Sequence, residues 1–151
     1  EADKTLGYFE TWISGSSARS KNITIAVSGI SNNVIWPQTV FSFNAAVGPR
    51  VPELGYLRAP VIIGGENTTD YGGGVCQVSS TLFNAADIAC LKIVERHRHS
   101  KPVYYVPAGR DATVAYGYLD LRIENEYQWP VIIKAGVGNG KLWVQILGRG
   151  N

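Results

Sequence analysis

Asp70-Tyr71-Gly72-Gly73-Gly74-Val75-Cys76-Gln77-Val78-Ser79-Ser80-Thr81-Leu82-Phe83-Asn84-Ala85-Ala86 joins two unlike halves. The first half, up to Cys76, is a glycine loop. The second reads as a helix over residues 77–91, because Val78, Leu82, Phe83, Ala86 and Ala89 recur at helical spacing and form one apolar face. A cysteine therefore stands where a loop turns into a helix. The flanking sequence must bury that apolar face.

N-terminal to this stretch, residues 8–13 read as a strand and residues 16–30 as an amphipathic helix with Ile23, Ala26, Val27 and Ile30 inward. Residues 34–36 are short and extended, and Pro37 ends them. Phe41-Ser42-Phe43-Asn44 follows, then a Gly/Pro-rich loop at 48–52 and an extended segment at 56–63. On the C-terminal side, residues 92–98 read as a strand carrying His97 and His99 on one face by alternation. Residues 103–106, 113–116, 119–123, 131–134 and 142–147 are further β-rich runs, and Asn139-Gly140 between the last two is a hairpin turn signal. The expected fold is α+β. It is a single domain over residues 1–151, with an antiparallel-rich sheet, the cysteine at the N-terminus of a central packed helix, and a smaller N-terminal helix.

The 151 residues suffice for one domain with its own core. A formal net charge of +2 and the lack of a basic stripe argue against a nucleic-acid partner. No apolar run approaches the roughly 20 residues of a membrane span. The chain has no Met and starts at Glu1, so an excised domain or processed chain is expected, with any membrane contact made through a segment outside it. Cys76 and Cys90, at opposite ends of one helix, would sit roughly 21 Å apart at ~1.5 Å per residue, too far for a disulfide.

A thiol attacks as thiolate, and its pKa falls at a helix N-terminus or beside a histidine. Cys76 has both opportunities. The N–H groups of Cys76 and Gln77 are candidates for an oxyanion hole at the helix start, with Gly74 shaping the approach. A base and an orienting acid are also needed. His97 and His99 are the two histidines of the chain, and either can serve; Asp111 and Asp120 follow as acids. The bland alternatives are plain. A cysteine in a helix is usually a small core residue, which is the reading for Cys90. The histidines can belong to a basic surface stretch, and Asp111 can simply cap a turn after Gly109. Zinc on Cys76, His97, His99 and an Asp is the competing site, weakened by the lack of CxxC and HExxH spacing. No metal or other cofactor is expected.

In Phe41-Ser42-Phe43-Asn44, Val47-Gly48-Pro49-Arg50, the segment from Tyr71 to Ala85, His99-Ser100, Tyr105-Val106-Pro107 and Gly109-Arg110-Asp111-Ala112-Thr113-Val114, the chain resembles the VanW family. The likeness runs from about Asn22 to the C-terminal hairpin, with a departure at Ile35-Trp36-Pro37-Gln38. It implies a bacterial cell-envelope location, outside the cytoplasm and often membrane-anchored. It also implies a peptidoglycan L,D-transpeptidase acting through Cys76, with stem peptides as donor and acceptor. A wall-peptide hydrolase with the same site and a non-catalytic wall-binding module are the alternatives. The resemblance favours His99 over His97 as base. Because stem peptides carry carboxylates, it also implies an arginine clamp, with Arg50, Arg58, Arg96 and Arg110 as candidates. Gln77, Ser79, Ser80 and Tyr71 complete the expected substrate-binding set.

Overall fold

A computed structural model describes residues 4–63 and 65–149. The order is β1 (Lys4–Trp12), α1 (Ser17–Ile30), β2 (Asn33–Ile35), β3 (Val40–Ser42), α2 (Phe43–Val47), a 3-10 turn (Pro52–Leu54), β4 (Arg58–Ile63), β5 (Glu66–Tyr71), α3 (Val75–Ile88), β6 (Lys92–Glu95), β7 (Arg122–Glu124), β8 (Val131–Gly138) and β9 (Lys141–Gly148). The fold is α+β, and every strand pairing is antiparallel.

Among the described residues the expected single sheet is three. Four strands run in the order β1-β9-β8-β2, three in the order β3-β7-β6, and β4-β5 is a separate ribbon. The four-stranded sheet carries the core. Strict alternation in β9 buries Leu142, Val144 and Ile146, and β8 adds Val131 and Ile133. Asn139 and Gly140, both at positive φ, make the tight turn between them as their sequence predicts. Helices α1 and α3 lie on this sheet. Ile23, Ala26, Val27 and Ile30 are the inward face of α1, and Ser16 caps it by accepting the Arg19 N–H. The helix α1 is not the smaller one: α1 and α3 have 14 residues each.

Close contact between β1 and α3 depends on Gly7, where a Cβ would stand 2.2 Å from the Ala85 carbonyl oxygen. Gln77 pins the same pair of elements. Its Nε2 donates to Thr11 Oγ1 at 2.9 Å and to the Trp12 carbonyl at 2.8 Å, while its Oε1 accepts from Arg19 at 2.7 Å. Gln77→Ala would leave the buried Arg19 guanidinium short of an acceptor. The expected cost is about 2–3 kcal/mol, read as a melting temperature lower by roughly 5–10 °C.

Several expected strands are absent. The strand over residues 92–98 stops at Glu95, so His97 and His99 lie in irregular chain and do not share a face. Residues 103–106 form no strand, and residues 113–116 contribute a single bridge, Ala115 to Leu119. Instead this part of the chain wraps over α3 and is tied to it by side chains. Glu66–Tyr71 is a further strand, which takes in Asp70 and Tyr71 from the expected glycine loop; its six exposed residues show no alternation of polarity to mark it. The helix α2 was likewise not expected. It starts at Ser42, whose hydroxyl accepts the Ala45 N–H, and Asp120 accepts the Ser42 hydroxyl and the Asn44 N–H. Cys90 is not a core residue: it is exposed at φ +62, just past the end of α3. At the departure from the family pattern, Gln38 takes φ +63 and the Thr39 N–H donates to Trp36, closing a tight turn.

Candidate functional site

Cys76 is the second residue of α3. The glycines before it are required by their neighbours. Gly74 is the cap at φ +108, and a Cβ there would meet Arg19 of α1 at 2.9 Å. Gly73 lies against the Ala59 and Pro60 backbone, with 2.6 Å left for a Cβ. Asn22 of α1 holds this loop by donating to the Leu57 and Gly73 carbonyls at 2.8 and 2.9 Å. The start of α3 is thereby fixed against both α1 and the β4-β5 ribbon.

The first turn is tight. The Val75 N–H donates to Gly72 and the Gln77 N–H to Gly74. The Gln77 amide is therefore engaged and does not serve as an oxyanion donor, contrary to expectation. The Cys76 N–H has no acceptor among the described residues. Nor does the Gln77 side chain line a binding site; it is fully buried at the β1 junction.

Cys76 is partly exposed, and its sulfur has three near neighbours. The Val114 N–H and C=O stand at 3.5 Å and Thr113 Oγ1 at 3.6 Å. His99 also acts on the same sulfur, lowering the thiol's pKa. The His99 Nδ1 meets Asp111 Oδ2 at 2.6 Å, and the His99 backbone N–H donates to that oxygen at 2.7 Å. With Nδ1 committed to the carboxylate, Nε2 is the nitrogen left for the thiol. His99 is thus bonded directly to Asp111, and its charge acts on the Cys76 thiol.

The charges follow this order. Burial pushes the Cys76 thiol up, but the hydrogen bond from His99, the Val114 N–H and the His99 charge outweigh it, so the thiol ionises below its usual range. Burial pulls His99 down, yet its bond to Cys76 and its pairing with Asp111 raise it above the ordinary value. Burial raises Asp111, and the two donors on His99 more than reverse that. Both shifts act toward a thiolate beside an imidazolium, and the two protons titrate as a unit.

The acid's segment is strapped to the helix that carries the thiol. Ser79 Oγ donates to the Ala112 carbonyl at 2.6 Å, Ser80 Oγ accepts the Ala112 N–H at 2.8 Å, and Asn84 donates to the Arg110 carbonyl at 2.9 Å. Arg96 adds donors to the Asp111 and Gly109 carbonyls. Ser79 is consequently a positioning residue, fully buried, and not a substrate contact.

The remaining expected residues divide. His97 points away, with Nε2 at 2.8 Å from Glu95, and only its carbonyl reaches the strap, accepting the Thr113 N–H. Asp120 is used at the start of α2. Arg110 is engaged with Asn84 and Asp87, some three turns down α3 from Cys76, so it does not belong to the site. Tyr71 is exposed at the end of β5, with the Arg58 guanidinium 5.5 Å from its ring centre. Arg50 does lie at the loop: a Cβ on Gly72 would stand 2.7 Å from its side chain. Among the described residues no cluster of three or more His, Cys, Asp or Glu side chains converges as a metal site.

Tyr105 and Thr113 were missed as site residues. Tyr105 sits 5.7 Å from Arg19, and burial together with the Cys76 charge raises its phenol far above the ordinary range. Its hydroxyl stays protonated as a donor. Both residues lie within quoted motifs, but neither has a residue type that marks chemistry without the fold.

The chain matches the family described as VanW like protein over residues 18–147. It is 46% identical over 142 residues to the uncharacterized protein YoaR of Bacillus subtilis, covering 93% of this chain and 47% of that protein. It is 30% identical over 110 residues to the vancomycin B-type resistance protein VanW of Enterococcus faecalis, covering 70% of this chain and 40% of that protein. The chain thus spans less than half the length of these curated relatives. No solved structure matches.

Proposed function

The chain belongs to the VanW family, and from that premise we propose that it is a peptidoglycan L,D-transpeptidase working through a Cys76 thioester outside the bacterial cytoplasm. The observation that carries the reading is the His99–Asp111 pair, with Nδ1 bound to the carboxylate and the His99 charge acting on the Cys76 thiol. Such an arrangement suits acyl transfer and has no evident structural need.

In the proposed reaction the Cys76 thiolate attacks the carbonyl that joins an L-centre to the terminal D-residue of a donor stem peptide. The carbonyl π pair moves to oxygen, where the Cys76 N–H is the candidate donor. The intermediate then reforms its carbonyl and the C–N bond breaks. His99 gives its Nε2 proton to the leaving amine, and a thioester remains. An acceptor amine from a second stem attacks the thioester, its proton passes to His99, and the C–S bond breaks. The new amide is the cross-link, and the site returns to its starting charges. Throughout, Asp111 holds the ring in the tautomer the steps require and stabilises the imidazolium.

The test is incubation with disaccharide-tetrapeptides followed by mass spectrometry. Cross-linked dimers and a mass adduct on Cys76 are the expected result. Shortened monomers alone would make the protein a hydrolase, and no change of any kind would favour a binding module.

A further inference from the structure

We propose that Thr113 is a further catalytic residue: its hydroxyl and the Val114 N–H form a two-donor cradle that holds the Cys76 sulfur as an anion, both before attack and when the thioester opens. This deepens the acyl-transfer reading and rests on it only for the reaction that the anion serves.

The groups that meet the sulfur from this segment do not all favour the same charge state. The Val114 N–H, at 3.5 Å, donates to a thiolate. The Val114 carbonyl, also at 3.5 Å, accepts from a thiol S–H and repels a thiolate. These two backbone groups present opposite partial charges at equal distance, so their effects on ionisation largely offset each other. The Thr113 hydroxyl, at 3.6 Å, decides between the states. A hydroxyl rotates, so it can accept from the thiol or donate to the thiolate, and a bond to the ion is about twice as strong. The balance therefore tips to the anion. Both donors act in the direction of a lower thiol pKa.

The fold holds the hydroxyl in this place. On one side of Thr113, Ala112 is gripped by the Ser79 and Ser80 hydroxyls. On the other, Val114 is buried in the core. Between them the Thr113 N–H donates to the His97 carbonyl at 2.8 Å. The backbone is thus pinned, and a β-branched side chain has few rotamers left. The hydroxyl has no other hydrogen-bond partner among the described residues. Valine has nearly the same shape, so packing alone does not call for the oxygen.

The charged and titratable groups that act on the same sulfur come from elsewhere. They are His99, with Asp111 bonded to it, Arg50 from the loop after α2, and Tyr105. Thr113 Oγ1 bonds to none of them. In the acyl-transfer cycle the C–S bond forms with the sulfur's electron pair and breaks with that pair returning to sulfur. At both points the two donors face the charge.

Alkylation of Cys76 by iodoacetamide, followed against pH in the Cys90→Ala background so that one thiol reacts, tests the cradle. Removing a donor to the thiolate raises the thiol's pKa. In Thr113→Val the thiolate limb is expected about one pH unit higher, so the rate below the limb falls roughly tenfold. Above the limb the rate should be equal or slightly greater, because a more basic thiolate is the stronger nucleophile. Thr113→Ala should give the same shift. Thr113→Ser keeps the oxygen and should recover most of it. A purely structural role would move other quantities: the plateau or the melting temperature would fall and the limb would stay. An unmoved limb in Thr113→Val and Thr113→Ala would overturn the cradle. So would a shift in Thr113→Ser as large as theirs. Iodoacetamide needs no peptide, so failure of the acyl-transfer reading would show differently: no thioester with disaccharide-tetrapeptides, and the limb shift intact.

Discussion

Cys76→Ser is expected to lower turnover by at least about 10⁴-fold while the protein melts near its wild-type temperature. The smaller oxygen fits the space of the sulfur. It does not ionise in this environment, because the His99 hydrogen bond that suffices for a thiol falls far short for an alcohol. Cys76→Ala removes the attacking atom altogether and should trap no thioester in mass spectrometry. Cys90→Ala is the control. Cys90 is exposed past the end of α3, so its loss should leave activity within about two-fold, as surface changes usually do. Equal loss from the two cysteine variants would mean that the reactive thiol is not at the glycine loop.

The second large effect belongs to His99. His99→Ala should slow acylation by roughly 10²–10⁴-fold, the range for a general acid–base residue, whereas His97→Ala should retain most activity because His97 is turned to Glu95. The pH dependence gives a finer test through Asp111. Its carboxylate stabilises the protonated ring, and the protonated ring stabilises the thiolate. In Asp111→Asn the ring's protonated form loses its partner, so His99 gives up its proton at lower pH. The thiol then loses a cationic neighbour and ionises at higher pH. Alkylation of Cys76 by iodoacetamide, followed against pH, should therefore show its thiolate limb moving upward in Asp111→Asn. The acid needed by the leaving amine is lost from the other side, so the active window narrows from both ends. A thiolate limb that stays in place would separate Asp111 from the thiol.

The glycine loop, the helix after it and the final hairpin were legible in the sequence. Their signals are local: positive-φ residues at Asn139-Gly140, and an apolar face of helical period in α1 and α3. The histidines were not placed correctly. The β signal of Lys92–Glu95 was extended too far, since Arg96 and Thr113 tie the segment after Glu95 to another loop rather than to a ladder. His99 is therefore held by Asp111, twelve residues on, and not by alternation along a strand. Gln77 and Ser79 were read as substrate contacts because they follow the cysteine. On a helix buried on most of its sides they face β1 and the strap instead.

The Ser79, Ser80 and Asn84 side chains grip residues 110–112 along one face of α3. Nucleophile, acid and the base between them thus move as one piece. Gln77 fixes α3 to the four-stranded sheet, whereas the segment of the acid is fixed to α3 itself. Damage to the sheet should therefore appear as a protein that unfolds sooner, with the same reactivity per folded molecule. Damage to the serine clasp should cost both: buried Ala112 groups lose their partners, so the molecule melts sooner, and the chemistry per folded molecule falls as well.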